Sequence, residues 1–216
     1  EEINRMVTDS LTDYFFTTSE LAGENLRKQG VGNDKIHFVG NVMIDTLYQN
    51  RPRFKQPEFW YSLDLSPKNF IVLTLHRPSN VDDVNHLSAL LQGIDALAGD
   101  KKIVFPIHPR TQAILNQTEL SLPNILFVEP QGYLNFLYLV QHSYAVITDS
   151  GGLSEETTVL GIPCFTLRTT TERPETETIG TNTLVGDSIV NLNSLFGDFM
   201  QNGMPARGIP PLWDGK

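Results

Sequence analysis

Short apolar runs alternate with amphipathic segments along most of this chain, a pattern typical of β/α repeats around a parallel sheet. Residues 70–75 form a continuous apolar run like that of a buried strand, and residues 83–98 repeat Val, Leu and Ile at helical spacing. The alternation continues to residue 200. Further strands are predicted over residues 103–107, 125–128, 144–148, 163–167 and 182–185, and further helices from about residue 110 and over residues 133–141, 151–160 and 188–200.

These repeats predict a Rossmann-like, doubly wound parallel α/β sheet over residues 67–216. Residues 1–50 carry two shorter strands and two helices, so we expect them to be the C-terminal part of a preceding Rossmann-like lobe. Residues 51–66, with Pro52, Pro57 and scattered aromatic side chains, are predicted as a linker. The shorter elements are strands at 14–17 and 36–39 and helices at 19–29 and 41–49.

Composition excludes some classes of protein. The formal net charge is −9, which disfavours a generic nucleic-acid binder because such proteins need a basic face. No apolar stretch is long enough to cross a membrane. The single cysteine, Cys164, excludes a disulfide framework and favours a reducing, cytoplasmic compartment. Because the chain begins at Glu1 without a Met, we expect it to be part of a longer protein.

Residues 148–152 read Thr-Asp-Ser-Gly-Gly, between a predicted strand and a predicted helix. Glycines there let the backbone approach a ligand, and the free N–H groups of a first helical turn favour a phosphate. Neither a Gly-x-Gly-x-x-Gly fingerprint nor a Walker loop is present. Glu155 and Glu156 follow, where an acid could accept hydrogen bonds from ribose hydroxyls. Ordinary turn and capping chemistry explains the same segment equally well.

Two histidines come directly after predicted strands, where ligands bind in such sheets. His76-Arg77 and His108-Pro109-Arg110 could hold a phosphate, since Arg forks onto phosphate and His can donate to it. A structural role remains open for each. Residues 168–175 form a polar loop that is either a solvated turn or a cover for a phosphate or sugar. No Cys/His cluster has zinc spacing, so no metal is predicted, and no Gly-x-Ser-x-Gly elbow supports a serine hydrolase.

In order along the chain, these segments resemble the non-hydrolysing UDP-N-acetylglucosamine 2-epimerases. The resemblance covers nearly the whole sequence, and seven short motifs in the family's order carry it. They are residues 1–5 (Glu-Glu-Ile-Asn-Arg), 39–45 (Val-Gly-Asn-Val-Met-Ile-Asp), 73–78 (Leu-Thr-Leu-His-Arg-Pro) with Asn80, 105–109 (Phe-Pro-Ile-His-Pro), 148–156, 160–163 (Leu-Gly-Ile-Pro) and 170–175 (Thr-Thr-Glu-Arg-Pro-Glu).

The resemblance implies two Rossmann-like lobes of the glycosyltransferase-B type, here truncated, with the substrate in the cleft between them. It also implies inversion of C2 in UDP-GlcNAc to give UDP-ManNAc, for cell-surface polysaccharide precursors. In this reaction the C2 proton is removed and UDP is expelled, which leaves 2-acetamidoglucal. UDP then adds back and the proton returns on the opposite face. No cofactor is implied, and the intact protein is expected to be a homodimer.

The resemblance assigns roles residue by residue. Glu1, Arg5 and His76 are the implied catalytic residues, with His76 near the diphosphate. The family's other essential Asp and Glu match no residue of this chain, so we expect that the 216 residues alone do not turn over substrate. The implied substrate-binding residues are Ser150, Gly151 and Gly152 for the diphosphate, Glu156 for the ribose, Phe136 near the uracil, Arg173 beside the phosphates, and Arg77 with His108 where some members hold a second, regulatory UDP-GlcNAc.

This sequence departs from the family at two places. Pro78-Ser79-Asn80 stands where many bacterial members have Arg-Glu-Asn, and Pro109-Arg110 replaces the more usual segment after the second histidine. Both departures weaken the expectation of regulation by a second substrate molecule. Three other functions remain open at this point: a hydrolysing 2-epimerase that releases ManNAc, a retaining glycosyltransferase of the same fold, and a non-catalytic nucleotide-sugar-binding module.

Overall fold

The computed structural model describes residues 2–116 and 118–216, and within that part the chain divides into two compact units. The first comprises residues up to Gln49 together with Pro210–Lys216, and the second spans Asn50–Ile209. The helices of the first unit are α1 (Glu2–Ser10), α2 (Glu20–Lys28) and α3 (Val42–Asn50, which ends one residue into the second unit). Its two strands, β1 (Phe15–Thr17) and β2 (Ile36–Phe38), are parallel.

The last residues of the chain pack within the first unit. Trp213 is completely buried there, and its indole Nε1 donates to the carbonyl oxygen of Thr18 at 3.2 Å. Gly40, at φ +81°, lies against this segment, and a Cβ at position 40 would come within 2.1 Å of the Leu212 carbonyl oxygen. Glycine is therefore required at position 40, for its backbone conformation and for this close approach.

The second unit is built on a six-stranded sheet in which every neighbouring pair is parallel. The order β5-β4-β3-β6-β7-β8 is that of a doubly wound Rossmann sheet, because the chain winds outwards from β3 and then crosses to β6. The strands are β3 (Phe70–Thr74), β4 (Lys102–Pro106), β5 (Ile125–Val128), β6 (Ala145–Thr148), β7 (Cys164–Thr166) and β8 (Asn182–Leu184).

Helices cover this sheet and bury its apolar strands. The sheet residues Ile71 and Ile147 are fully buried, as are Leu91 and Phe196 on the covering helices. The sequence patterns predicted all six strands and four of the helices within two residues at each end, but they did not predict the single-turn helices Pro78–Val81 and Glu175–Thr178. The helices are α4 (Pro78–Val81), α5 (Val84–Ala96), α6 (Pro109–Leu115), α7 (Tyr133–His142), α8 (Gly151–Leu160), α9 (Glu175–Thr178) and α10 (Ile189–Asn202).

Residues 51–66, which the sequence suggested as a linker, belong to the second unit. They contain two single turns of 3-10 helix, and Trp60 is buried with its ring edge-on to Phe70 at 5.5 Å and to Tyr138 at 5.3 Å. This aromatic cluster fixes the segment against the base of the sheet.

Candidate functional site

The candidate site lies at the carboxyl ends of β3 and β6, where the winding of the sheet reverses. In open α/β sheets this crevice is the usual place for a ligand. Thr74 and Thr148 are the paired last residues of the two strands, and their hydroxyl oxygens lie 2.6 Å apart. The segments that follow, from His76 and from Asp149, therefore start side by side.

Asp149 is the polar centre of this crevice and is completely buried. Its carboxylate accepts from the backbone N–H groups of His76 and Arg77, the latter at 2.9 Å, and from the side-chain amide of Asn80 at 2.9 Å. The Arg77 side chain adds a bond from Nε to the Asp149 carbonyl oxygen at 3.0 Å. The carboxylate thus ties the loop after β3 to the loop after β6.

The same carboxylate holds the His76 ring. Nδ1 of His76 lies 2.6 Å from Oδ1 of Asp149, while the histidine side chain is 61% exposed. One edge of the ring is therefore fixed and the other edge faces outwards. Sequence reasoning did not select Asp149 as a site residue, although its position directly after a buried strand was a usable signal.

The start of α8 supplies backbone donors beside this cluster. Ser150 is the N-cap residue and its side chain makes no capping bond, so the first-turn N–H groups are not satisfied from that side chain. A Cβ at Gly151 would lie 2.9 Å from Nη1 of Arg168, so glycine is needed for the guanidinium to lie this close. Backbone donors and a positive charge thus converge at one helix end, an arrangement suited to an anion.

Arg168 is buried and is held in place by Glu172. Its two Nη atoms donate to the Glu172 carboxylate at 2.8 and 2.5 Å, and this bidentate pair is the main reason that the pKa of Glu172 falls to about 2. Arg173, a predicted phosphate ligand, donates from Nε to Oε1 of the buried Glu155 at 2.6 Å. The Arg168–Glu172 pair therefore lies within the polar loop 168–175, and the Arg173–Glu155 pair ties that loop to α8.

Glu156, the predicted ribose ligand, is buried on α8, and the pKa of its carboxyl is raised. This pKa rises to about 7, mainly because of burial; a hydrogen bond from Tyr133 opposes the rise and the charge of the neighbouring Glu155 adds to it. The Tyr133 hydroxyl donates to Oε1 of Glu156 at 3.1 Å. Desolvation and the Glu156 charge in turn raise the pKa of Tyr133 to about 12, so this hydroxyl remains a donor.

A cavity of about 330 Å³ opens beside the switch point. Arg77 and Arg168 give it positive charge, and the hydroxyl groups of Ser79, Thr169 and Thr170 give it polar walls. The predicted cover loop thus contributes directly to a cavity. The full lining is Arg77, Ser79, Asn80, His86, Leu167, Arg168, Thr169, Thr170 and Asp187.

Within the second unit, the structure does not bring every predicted residue to this crevice. His108 is the exposed N-cap of α6, at the end of β4, and its Nδ1 accepts from the Arg110 backbone N–H at 3.3 Å. Phe136 is half-buried on α7, one turn beyond Tyr133. Arg5 belongs to the first unit, where it pairs with Asp9 and donates to Gln29 at 3.3 Å, and Glu1 lies outside the described residues.

Arg5 lines a cavity of about 710 Å³ in the first unit, together with Asp9 and residues of β1 and α2. Among residues 2–116 and 118–216, no group of three or more His, Cys, Asp or Glu side chains is arranged to hold a metal ion. No helix in the described part of the chain is long and apolar enough to span a membrane.

Comparison with known proteins gives a uniform result. The family model described as UDP-N-acetylglucosamine 2-epimerase matches residues 1–216. A UDP-N-acetylglucosamine 2-epimerase of Methanocaldococcus jannaschii is 42% identical over 199 residues, which cover 87% of this chain and 54% of that protein. A UDP-2,3-diacetamido-2,3-dideoxy-D-glucuronate 2-epimerase of Pseudomonas aeruginosa is 37% identical over 189 residues, covering 86% of this chain and 52% of that relative.

Comparison with solved structures points to the same family. The crystal structure of the M. jannaschii UDP-GlcNAc 2-epimerase in complex with UDP-GlcNAc and UDP superposes with a TM-score of 0.81 at 37% identity, covering 100% of this chain and 62% of that one. The predicted Rossmann-like fold of the glycosyltransferase-B type is confirmed by the sheet order and this match. The chain spans about half the length of the curated relatives it matches.

Proposed function

We propose that this chain, which belongs to the UDP-N-acetylglucosamine 2-epimerase family, supplies the nucleotide-diphosphate side of an enzyme that interconverts UDP-GlcNAc and UDP-ManNAc. The observation that carries the proposal is the convergence of the α8 N-terminus, Arg168 and the Asp149–His76 pair at the switch point of the sheet. Backbone N–H groups, a guanidinium and an imidazole are the donors that a departing diphosphate needs.

The reaction breaks the C2–H bond and the bond from C1 to the UDP oxygen, and leaves 2-acetamidoglucal. Negative charge then develops on the diphosphate, so donors whose hydrogen bonds to it become stronger as this charge develops accelerate the step. Gly151 and Gly152 are proposed to bind the diphosphate through backbone N–H groups, with His76 beside them. Ser150 is proposed to bind it through its side chain, because the Ser150 N–H already donates to Oγ1 of Thr148 at 3.0 Å. UDP re-adds to C1, and the proton returns to C2 on the opposite face.

The remaining residues divide between sugar, base and reacting centre. Glu156 is proposed to accept from the ribose hydroxyls, and Phe136 on α7 to lie near the uracil. Arg173 fixes Glu155 and the loop beside the phosphates. Arg77 and His108 are proposed as contacts of a second UDP-GlcNAc, and Glu1 and Arg5 as groups of the reacting centre. We further propose a cytoplasmic homodimer that needs no cofactor.

A second substrate has a specific observation in its favour. The P. aeruginosa relative carries in its name a UDP-sugar with a second acetamido group and a carboxylate. That sugar shares with UDP-GlcNAc the UDP group and the acetamido group at C2, which are the parts that the crevice and C2 chemistry address. Specificity between the two depends on contacts to C3 and C6 of the sugar.

Proton NMR in D2O tests the reaction directly, with the protein at its full natural length. Loss of the C2 proton signal of UDP-GlcNAc with growth of UDP-ManNAc supports the proposal. Loss of that signal with release of UDP and free ManNAc points to the hydrolysing reaction. An unchanged C2 proton in a protein that binds UDP contradicts epimerisation, since glycosyl transfer and simple binding leave the C2–H bond intact. The diacetamido glucuronate is run in parallel.

A further inference from the structure

The hydrogen bonds around Asp149 determine which nitrogen of His76 carries the proton. Apart from Nδ1 of His76, the partners of this carboxylate in the described structure are N–H groups: the backbone of His76, the backbone of Arg77 and the amide of Asn80. These three N–H groups stabilise the ionised carboxylate, and a protonated Asp149 could donate only to Nδ1 of His76. His76 Nδ1, at 2.6 Å from Oδ1, must then be a donor.

The exposed nitrogen follows from this assignment. A neutral imidazole carries one hydrogen, so with that hydrogen on Nδ1 the outward Nε2 presents a lone pair. An anionic diphosphate oxygen also presents lone pairs, and the two can form a hydrogen bond only if a proton is added to Nε2. The imidazolium donates at both nitrogens, to Asp149 on one side and to the phosphate on the other.

We propose that Asp149 is a positioning residue that fixes His76 as the Nδ1–H tautomer, and that His76 therefore takes up a proton at Nε2 when a nucleoside diphosphate binds. The proposal rests on the diphosphate site of the proposed function and deepens it. It gives His76 two states in one cycle: protonated while it holds the charged diphosphate, and free to release the proton when the diphosphate leaves. The same nitrogen is a proton acceptor whenever it is neutral.

Other charged groups surround the loop that carries His76, and they act in opposite directions. Arg77 and Arg168 disfavour an added positive charge, whereas Asp149 favours it. Glu172 is already neutralised by its bidentate pair with Arg168. The titratable and charged groups on the elements packed around this loop are Asp149 before α8, Arg77 on the same loop, Arg168 and Glu172 after β7, Asp187 after β8 and His86 on α5.

The tautomer is measured first, without ligand, by long-range proton–nitrogen NMR on the full-length protein labelled with 15N-histidine. The His76 signals are identified by their loss in His76→Gln. The expected pattern at pH 8 is a protonated Nδ1 and an unprotonated Nε2. The opposite pattern, with the hydrogen on Nε2, overturns the proposal, because Nδ1 could not then donate to Asp149.

Proton uptake is measured next by titrating UDP calorimetrically at pH 8 in buffers of different ionisation enthalpy. At this pH the UDP phosphates are fully ionised, so they contribute little uptake. We expect an uptake approaching one proton per UDP, absent in His76→Gln, together with an affinity about 10-fold to 100-fold lower in that variant. His37→Gln, an exposed histidine of the first unit, is the matched control and should behave as wild type.

Uptake that is equal in wild type and His76→Gln overturns the proposal. Asp149→Asn supplies an independent readout, because an amide favours the imidazolium less than a carboxylate does. As the pH is raised, the UDP affinity of this variant should begin to fall at a lower pH than that of wild type. If UDP does not bind, the proposed function fails, and the ligand-free tautomer alone then decides the role of Asp149.

Discussion

His76 and His108 follow neighbouring parallel strands in similar motifs, and each precedes a short helix that begins with proline, yet their rings are held in opposite ways. Nδ1 of His76 donates to a buried carboxylate. Nδ1 of His108 accepts from the backbone N–H of Arg110 and caps its own helix. The outward nitrogen is therefore an acceptor in neutral His76 and a donor in neutral His108.

The difference arises from the partner strands. β3 lies beside β6, whose following loop supplies Asp149, whereas β4 lies between β3 and β5. The only carboxylate bonded to the His108 loop in the described structure is Asp82, which pairs with Arg110 at 3.0 Å on an exposed surface. Local sequence places a histidine at the sheet edge, and the neighbour across the sheet decides what that histidine can do.

Removing the carboxylate at each loop should give the largest contrast in stability. Asp149→Asn places an amide NH2 among four N–H groups, and we expect a loss of about 3 kcal/mol, as for a buried charge network deprived of one partner. Asp82→Asn breaks only an exposed ion pair, so its effect should stay within about 0.5 kcal/mol. Urea denaturation of the two variants measures the difference. Equal losses would show that Asp149 is not the centre of the cluster.

A smaller, pH-dependent effect is expected at Glu156, on the helix that starts at the His76 crevice. Its pKa rises from 4.5 to about 7 on folding, so the folded state retains a proton that the unfolded state releases. Stability should then fall as pH rises from about 4.5 to 7. At pH 8 we expect Glu156→Gln to be more stable than wild type by about 2 kcal/mol, and this advantage should vanish near pH 4.5.

Glu172→Gln is the control of opposite sign. Arg168 lowers the pKa of Glu172 from 4.5 to about 2, so the stabilisation exists above about pH 4.5 and is lost as pH falls towards 2. This variant should be less stable than wild type at pH 8, and the stabilities of the two proteins should become equal as the pH approaches 2. Thermal melts from pH 2 to pH 8 cover both titration windows and separate the cases. A pH-independent advantage of Glu156→Gln would contradict the assignment of a buried, charged Glu156.

The sequence predicted the doubly wound sheet well because its strands are short continuous apolar runs separated by regular helical patterns. It also placed His76, Ser150 and Gly151 at one edge, since the carboxyl ends of parallel strands share an edge. It could not distinguish His76 from His108, because that depends on β3 pairing with β6 across 74 positions of sequence. Glu156 was selected as a ligand, but its partner Tyr133 was missed because a single aromatic at a helix start carries no distinguishing signal.

The smallest effect is expected on the His108 side of the comparison. As an N-cap residue, His108 offers one long bond of 3.3 Å to the Arg110 N–H, whereas asparagine is among the preferred N-cap residues. His108→Asn should therefore leave stability unchanged or raise it by about 0.5 kcal/mol. The matched His76→Asn should lower stability, because a shorter side chain leaves the Asp149 carboxylate without its bond to the ring. Urea denaturation of both variants tests this, and a loss of more than about 1 kcal/mol in His108→Asn would mean that this ring has a structural role beyond a helix cap.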